Sequence, residues 1–393
     1  MNYKKIEKAA IELSKKKESE KNNFLECLSH TLLVNKRKVL EANQKDLERA
    51  KKDNFSPAFL ERLTLNEYGL TEMVEKVYEM QRLTSGIGEI IEERITKEKL
   101  KLQKIRVPIG VIAIIYEARP EVTIDVTSLC IKSGNVAILK GGSEALETNK
   151  ILFLCIKLAL QKAFFLIDSV TFIASRNRTT IEKLLKQNNV IDLVIARGSY
   201  QMVKNIQSSS SIPVLAHSAG GARIYIDKSA DISIIKNILI NAKTTKPSAC
   251  NSLDTIVLHK SLESLLPQII KTLKKHNVEI INNKWSKEFL DLRVSIKIVN
   301  NEDEAIEFVN NYSKKHSEGL IAEDKNLIDK FVNSIDAAVL FINSSPRLND
   351  GYVFGLGSEM GIATGKLHAR GPVGLKELTI YKWIAYGKGH IRE

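Results

Sequence analysis

The sequence predicts an α/β protein built on two doubly wound α/β domains. Three observations carry this reading. Residues 2–80 read as helices throughout. From Ile105 onward, apolar strands alternate with helices, the pattern of right-handed βαβ units in a parallel sheet. A second such series begins near residue 232, so the chain holds two sheets rather than one.

In the first helices, apolar residues recur at spacings of three and four, as at Ile6, Ala9, Ala10 and Leu13. Ser56-Pro57 marks a break between helices. VPIGVIAIIYE reads as one continuous strand buried on both faces. A helix over 122–132 follows, ended by Gly134-Asn135, and VAILK is the next buried strand. Then come a helix over 144–163, strand SVTFIA, a helix over 178–187 and strand IDLVIA. The second series runs from a helix ending about residue 246 through TIVLH, a helix over 261–275, IKIV, a helix over 303–312, GLIAE, a helix over 324–333 and AAVLFI. The terminal LTIYKWIAYG mixes β-branched and aromatic residues and reads as a strand remote from the core, at a sheet edge used for association.

Composition bounds the function. A chain of 393 residues is too long for one ordinary domain, and 44% hydrophobic residues suffice for a core in each. No stretch approaches the roughly 18 apolar residues of a membrane helix. Met1–Lys17 lacks the apolar run and cleavage site of a signal peptide, so the expectation is a cytoplasmic protein without a membrane partner. The formal charge of +13 raises nucleic-acid binding. The lysines, however, interleave with glutamates, as in KIEKAAIELSKKKESEK, the pattern of solvated helix faces, so no nucleic-acid partner is expected. The positive field still favours anionic ligands. Four cysteines stand at 27, 130, 155 and 250, none in CxxC spacing, and no metal site is expected. Cys130 and Cys155 have apolar surroundings and read as buried thiols.

Four segments carry candidate chemistry. In VAILKGGSEALETN, Lys140, Gly141, Gly142 and Ser143 join a strand to a helix. Glycines there admit a close ligand, the helix start offers N–H groups to phosphate, Ser143 can cap the helix, and Lys140 can reach a ribose or its phosphate. It is not GxGxxG. In NAKTTKPSACNSLDTIVLH, Cys250 sits in a polar loop with Lys243 and Lys246 nearby. Cations and backbone N–H groups lower a thiol's pKa, and the thiolate is the nucleophile; Asn251 or loop amides can hold an oxyanion. In GSEMGIATGKLHARGPVGLKELT, Lys366, His368 and Arg370 are spaced by two, one face of an extended segment, fit for a carboxylate or phosphate. VLAHSAGGARIYID holds His217 before a Gly-Gly pair.

These segments, in this order, resemble the gamma-glutamyl phosphate reductase family within the aldehyde dehydrogenase superfamily. The stretches that carry the likeness are 107–145 with YEARP, KSGN and KGGSEA; 224–255 around Cys250; and 350–383 with KLHARGPVGLKELT. It extends back to LEANQKDL in the first helices. The resemblance implies an aldehyde dehydrogenase-like fold. Its cofactor domain covers 1–230, with 345–374 returning to it. The catalytic domain covers 231–344, and the oligomerisation arm is made of 96–106 and 375–393. It implies reduction of L-glutamyl 5-phosphate by NADPH to glutamate 5-semialdehyde and phosphate, in proline biosynthesis. It implies Cys250 as nucleophile with Asn251 and His217 in the catalytic site. Lys140, Gly141, Gly142, Ser143, Glu144, Arg197, Gly198 and Glu359 are implied at the cofactor. Arg119, Lys243, His368 and Arg370 are candidates for substrate. A homo-oligomer is implied as well. The lability of an acyl phosphate makes transient contact with glutamate 5-kinase chemically sensible.

The chain departs from the family pattern at Ala219, where an acidic residue is usual, and at Arg223, where histidine is frequent. Ser199 replaces a glycine and Glu121 an asparagine. Two other readings compete: a dehydrogenase acting on CoA esters, and a weakened paralogue kept as a binding partner.

Overall fold

The computed structural model describes residues 1–175, 177–216 and 220–392. Two compact units form. One comprises Met1–Leu215, Gly355–Gly361 and Val373–Glu393; the other comprises Ala216–Phe354 and Ile362–Pro372.

The first unit opens with α1 (Tyr3–Ser14), α2 (Glu18–Val34), α3 (Lys36–Lys52), α4 (Pro57–Leu63) and α5 (Glu67–Arg82). The expected periodicity holds: α1 buries Ile6, Ala9 and Leu13. Ser56 caps α4 by accepting from Phe59 N, and Pro57, whose missing N–H costs nothing there, takes the first helical position. Next come β1 (Ile90–Ile95), β2 (Lys101–Pro108) and β3 (Val111–Tyr116).

VPIGVIAIIYE is therefore two strands. Pro108 lacks a donor, and Gly110 takes φ +133, a conformation that L side chains avoid. A Cβ at Gly110 would also lie 2.2 Å from Asp192 Oδ2, the atom that accepts from Val111 N at 2.8 Å. The turn separates the arm strand β2 from the core strand β3.

The wound series continues with α6 (Val122–Lys132), β4 (Val136–Lys140), α7 (Leu146–Lys162), β5 (Val170–Phe172), α8 (Arg178–Leu184), β6 (Leu193–Arg197), α9 (Tyr200–Ser209) and β7 (Val214–Ala216). Its sheet has the order β5-β4-β3-β6-β7, with β3 pairing β4 and β6 in parallel. Strand order reverses between β3 and β6, the switch point where open α/β sheets bind ligands at their carboxyl edge. Cys130 and Cys155 are buried as expected; burial pushes the Cys155 thiol up to about 11.

The second unit holds β8 (Ala222–Ile226), α10 (Ile232–Thr244), β9 (Leu253–His259), α11 (Leu266–Lys275), β10 (Glu279–Ile280), β11 (Arg293–Val299), α12 (Glu302–Tyr312), β12 (Ser317–Ile321), α13 (Lys325–Ser334), β13 (Val339–Ile342), β14 (Ile362–Ala363) and β15 (Gly371–Pro372). Its parallel sheet has the order β10-β11-β9-β8-β12-β13. One face is filled by Ile224, Ile226, Leu239, Ile256 and Leu258, the other by Tyr225, Val257, Val309, Leu320 and Phe331.

Finally β16 (Thr379–Tyr386) pairs antiparallel with β2, and β2 with β1, giving the arm sheet β1-β2-β16. Lys104 Nζ stands 3.8 Å from the centre of the Tyr381 ring.

Two expected boundaries move. The first domain ends at Leu215 instead of 230, because β8 is hydrogen-bonded into the second sheet between β9 and β12. Of the segment 345–374, Gly355–Gly361 and the residues from Val373 group with the first unit. Ile362–Pro372 groups with the second, where Lys366 and Arg370 ion-pair with Asp336.

Candidate active site

Cys250 immediately precedes the loop into β9, at the amino edge of the second sheet. Successive turns shape its loop: Ala249 N donates to Lys246 O and Ser252 N to Ala249 O, both at 3.0 Å. The Cys250 carbonyl accepts from Gly221 N at 2.6 Å. A Cβ on Gly220 would meet that carbonyl oxygen at 2.1 Å, and one on Gly221 would meet Asp254 Oδ2 at 2.0 Å. The Gly-Gly pair is what lets the two loops touch. The Cys250 side chain is partly buried.

Asn251 faces inward. Its Nδ2 donates to Asn349 O at 2.9 Å, and its Oδ1 accepts from Arg347 Nη1. Asn251 therefore braces the loop in this structure instead of presenting its amide to an oxyanion. Arg347 lies within electrostatic reach of Cys250. Burial lowers its pKa, while the Cys250 and Asp350 charges oppose that shift. Nothing in the sequence pointed to Arg347, which stands about a hundred positions from Cys250 in an unremarked SSPRL turn.

Beneath this loop lies a buried ionic network. Arg223 Nη1 donates to Gly221 O at 2.9 Å and to Glu318 Oε1 at 3.0 Å. Lys243 Nζ pairs with Asp254 Oδ1 at 3.4 Å. Burial pushes the Asp254 carboxyl up to about 7 and pulls the Lys243 ammonium down, each partner's charge opposing. Lys243 is fully buried, so its predicted substrate role gives way to a structural one. Asp254 and Glu318 had a visible signal, an acid inside an apolar strand. Arg223, noted as a departure, proves to be the partner of Glu318.

The cations of the KLHAR segment do converge, but on the chain's own carboxylate. Lys315, Lys366 and Arg370 contact Asp336 at 3.0, 3.2 and 2.7 Å, holding its carboxyl well below the usual range. His368 takes φ +69 and is exposed, so the segment is not extended there and His368 leaves the shared face. His217 and Ala219 lie outside the described residues.

In the first unit, the carboxyl edge of the sheet collects the predicted cofactor residues. Lys140 ends β4; its ammonium is buried and donates to Gly141 O at 2.7 Å, and burial lowers its pKa, with Glu144 opposing. Gly141 and Gly142 are filled by the protein itself. A Cβ would meet Asn149 Nδ2 at 2.3 Å from Gly141 and Glu144 Oε1 at 2.0 Å from Gly142. Glu144 Oε1 accepts from Ala118 N at 2.7 Å.

Ser143 does not cap the helix. It begins a 3-10 turn, and the start of α7 is satisfied from α3: Asp46 Oδ2 accepts from Thr148 N and Thr148 Oγ1, and Asp46 Oδ1 from Glu147 N. Arg49 pairs with Asp46 and donates to the Ser143 and Glu144 carbonyls at 3.0 Å. The helix start predicted for phosphate is thus occupied by a carboxylate. Asp46 lies within the LEANQKDL stretch and Arg49 just past it, the signal that could have found them.

At the switch point, Arg197 Nη1 donates to the Glu359 carbonyl at 3.3 Å. Gly198 admits Glu117, whose Oε2 accepts from Ser199 N at 2.7 Å. Glu121 is held above the usual carboxylate range by burial, with the Arg119 and Arg197 charges opposing and Asp125 adding to it.

Two wound parallel sheets, one with a switch-point edge and one with a cysteine loop, define a class, and the comparisons agree. The model of the Aldehyde dehydrogenase family matches residues 9–284. A gamma-glutamyl phosphate reductase of Dictyoglomus thermophilum is 40% identical, covering 99% of this chain and 98% of its own. One from Clostridium acetobutylicum is 40% identical over 98% and 96% of the two chains. The crystal structure of gamma-glutamyl phosphate reductase from Thermotoga maritima superposes with a TM-score of 0.95 at 37% identity, covering 100% of this chain and 99% of that one. The chain belongs to the aldehyde dehydrogenase family and, within it, to the gamma-glutamyl phosphate reductases.

Proposed function

We propose that this chain reduces L-glutamyl 5-phosphate to L-glutamate 5-semialdehyde with NADPH, in the cytoplasm, as a step of proline biosynthesis. The observation that carries the reading is Cys250, pinned through its carbonyl to Gly221 and followed by Asn251, which accepts from the Arg347 guanidinium. A cation beside a thiol favours the thiolate.

Cys250 sulfur attacks the acyl carbon; the S–C bond forms, the C–O bond to phosphate breaks, and the thiol proton leaves with phosphate. NADPH, held by Lys140, Ser143, Arg197 and Glu359, would supply the hydride that reduces this thioester. The tetrahedral adduct then expels the Cys250 thiolate and releases aldehyde, with no water activated. The pinned loop positions the sulfur for both steps.

The cofactor residues fit a ribose or ribose phosphate better than a diphosphate. Asp46 already fills the α7 amides, in keeping with the missing GxGxxG. Lys140 uses one donor on Gly141 O and retains two, and exposed Ser143 is beside it. Lys140 would hold the 2′-phosphate and Ser143 a ribose hydroxyl, with Arg197 and Glu359 near the switch point. The exposed Tyr381 and Trp383 of the arm suit a homo-oligomer, and the acyl phosphate's lability suits transient contact with glutamate 5-kinase.

The test is phosphate-dependent NADP reduction by glutamate 5-semialdehyde with the full chain. Activity supported by coenzyme A in place of phosphate would move the reading to CoA esters, and a silent protein would favour a weakened paralogue.

A further inference from the structure

We infer that Arg347 is the phosphate-binding residue of the Cys250 site, gripping the phosphoryl group of the acyl phosphate and the phosphate that departs. The inference rests on the reductase reading above.

Arg347 N donates to Ser345 Oγ at 3.3 Å, which anchors its turn. Its Nη1 is braced by Asn251 Oδ1, and Asn251 is braced in turn by Asn349 O. Asn349 Nδ2 donates to Ser317 Oγ at 2.8 Å, tying the chain of braces to β12. Three linked polar side chains thus fix the guanidinium on Asn251, the residue that follows Cys250. Its Nε is buried and has no hydrogen-bond partner among the described residues. A buried donor of a charged group without an acceptor is costly, and an arriving oxyanion removes that cost.

Chemistry chooses the anion. Glutamyl phosphate carries negative charge at two ends, an α-carboxylate and a phosphoryl group. The phosphoryl oxygen is bonded to the carbon that Cys250 attacks, whereas the α-carboxylate lies at the far end of the substrate. A guanidinium held on the residue next to Cys250 in the chain is placed for the phosphoryl group, not for the far carboxylate. Three other cations offered by the sequence face carboxylates of the chain itself: Lys243 pairs with Asp254, and Lys366 and Arg370 with Asp336. When the C–O bond breaks, the electron pair goes to phosphate, and a fixed guanidinium stabilises the charge that develops.

The test measures the reverse reaction with Arg347→Gln and Arg347→Lys in the full chain. The expected result is a KM for inorganic phosphate raised about tenfold or more in Arg347→Gln, with a much smaller change in the KM for aldehyde. Arg347→Lys should recover part of it. Equal rises in both constants, or an unchanged phosphate KM, overturn the assignment. A second measurement needs no turnover. Inorganic phosphate should slow alkylation of Cys250 by iodoacetamide in the unmodified protein and lose that effect in Arg347→Lys. Absence of protection in the unmodified protein overturns the inference even if Arg347→Gln fails to fold. Should the unmodified protein bind phosphate in this way yet reduce no glutamyl phosphate, the reductase reading fails while the phosphate site stands.

Discussion

The backbone N–H of Gly221 donates to the carbonyl of Cys250 at 2.6 Å, and the preceding Gly220 lies flat against the same residue. This contact fixes Cys250 without using its side chain. Gly220→Ala would force a Cβ to 2.7 Å from Cys250 Cα. We expect a stability loss on the order of 1–3 kcal/mol and a fall in kcat of about a hundredfold from the displaced sulfur. Thermal melts and steady-state kinetics check both, and an unaltered kcat would show that the loop contact does not position the thiol.

Cys250→Ser should abolish reduction while leaving NADPH affinity within about twofold, because the residues proposed for the cofactor lie on the other sheet's carboxyl edge. Fluorescence titration with NADPH alongside the assay decides it. A variant that no longer binds the cofactor would contradict the assigned role.

Lys140→Ala should weaken NADPH by about tenfold and NADH far less, since only the former carries a 2′-phosphate. Parallel titrations with the two cofactors suffice; matching losses would remove Lys140 from the 2′-phosphate.

Asp254 should impose a pH dependence. Its folded pKa of about 7 exceeds the ordinary 3.8, so the native state retains a proton that the unfolded state has lost. Its contribution to stability therefore falls as pH rises from about 4 to about 7 and is level above. Relative to Asp254→Asn, the unmodified chain should be less stable at pH 8 than at pH 5, by a few kcal/mol at order of magnitude. Urea midpoints of both proteins at the two pH values measure this; a constant difference would mean that Asp254 is ionised throughout.

Asp46→Ala strips the start of α7 of its acceptor and leaves Arg49 without its carboxylate. The cost should be about 2–4 kcal/mol, read from denaturation. If NADPH affinity instead rose markedly, the α7 amides would be a phosphate site that Asp46 merely covers.

The alternation of strand and helix, the amphipathic first helices and the polar setting of Cys250 were legible from residue order, because periodicity and local polarity are local properties. So were the buried cysteines at 130 and 155. Side-chain partners were not. Lys243, Arg370 and His368 read alike as available cations, yet one is locked to Asp254, one to Asp336, and one is turned out by a positive φ. The KGGS turn read as a phosphate cradle until Asp46, roughly a hundred residues earlier, was seen to occupy the α7 amides. The chain's own sequence determined which segments form two wound sheets and which cysteine stands in a polar loop. Only the tertiary structure decided which charges meet, because an ion pair depends on where distant strands and helices bring their side chains, and that distance is not encoded by spacing along the chain.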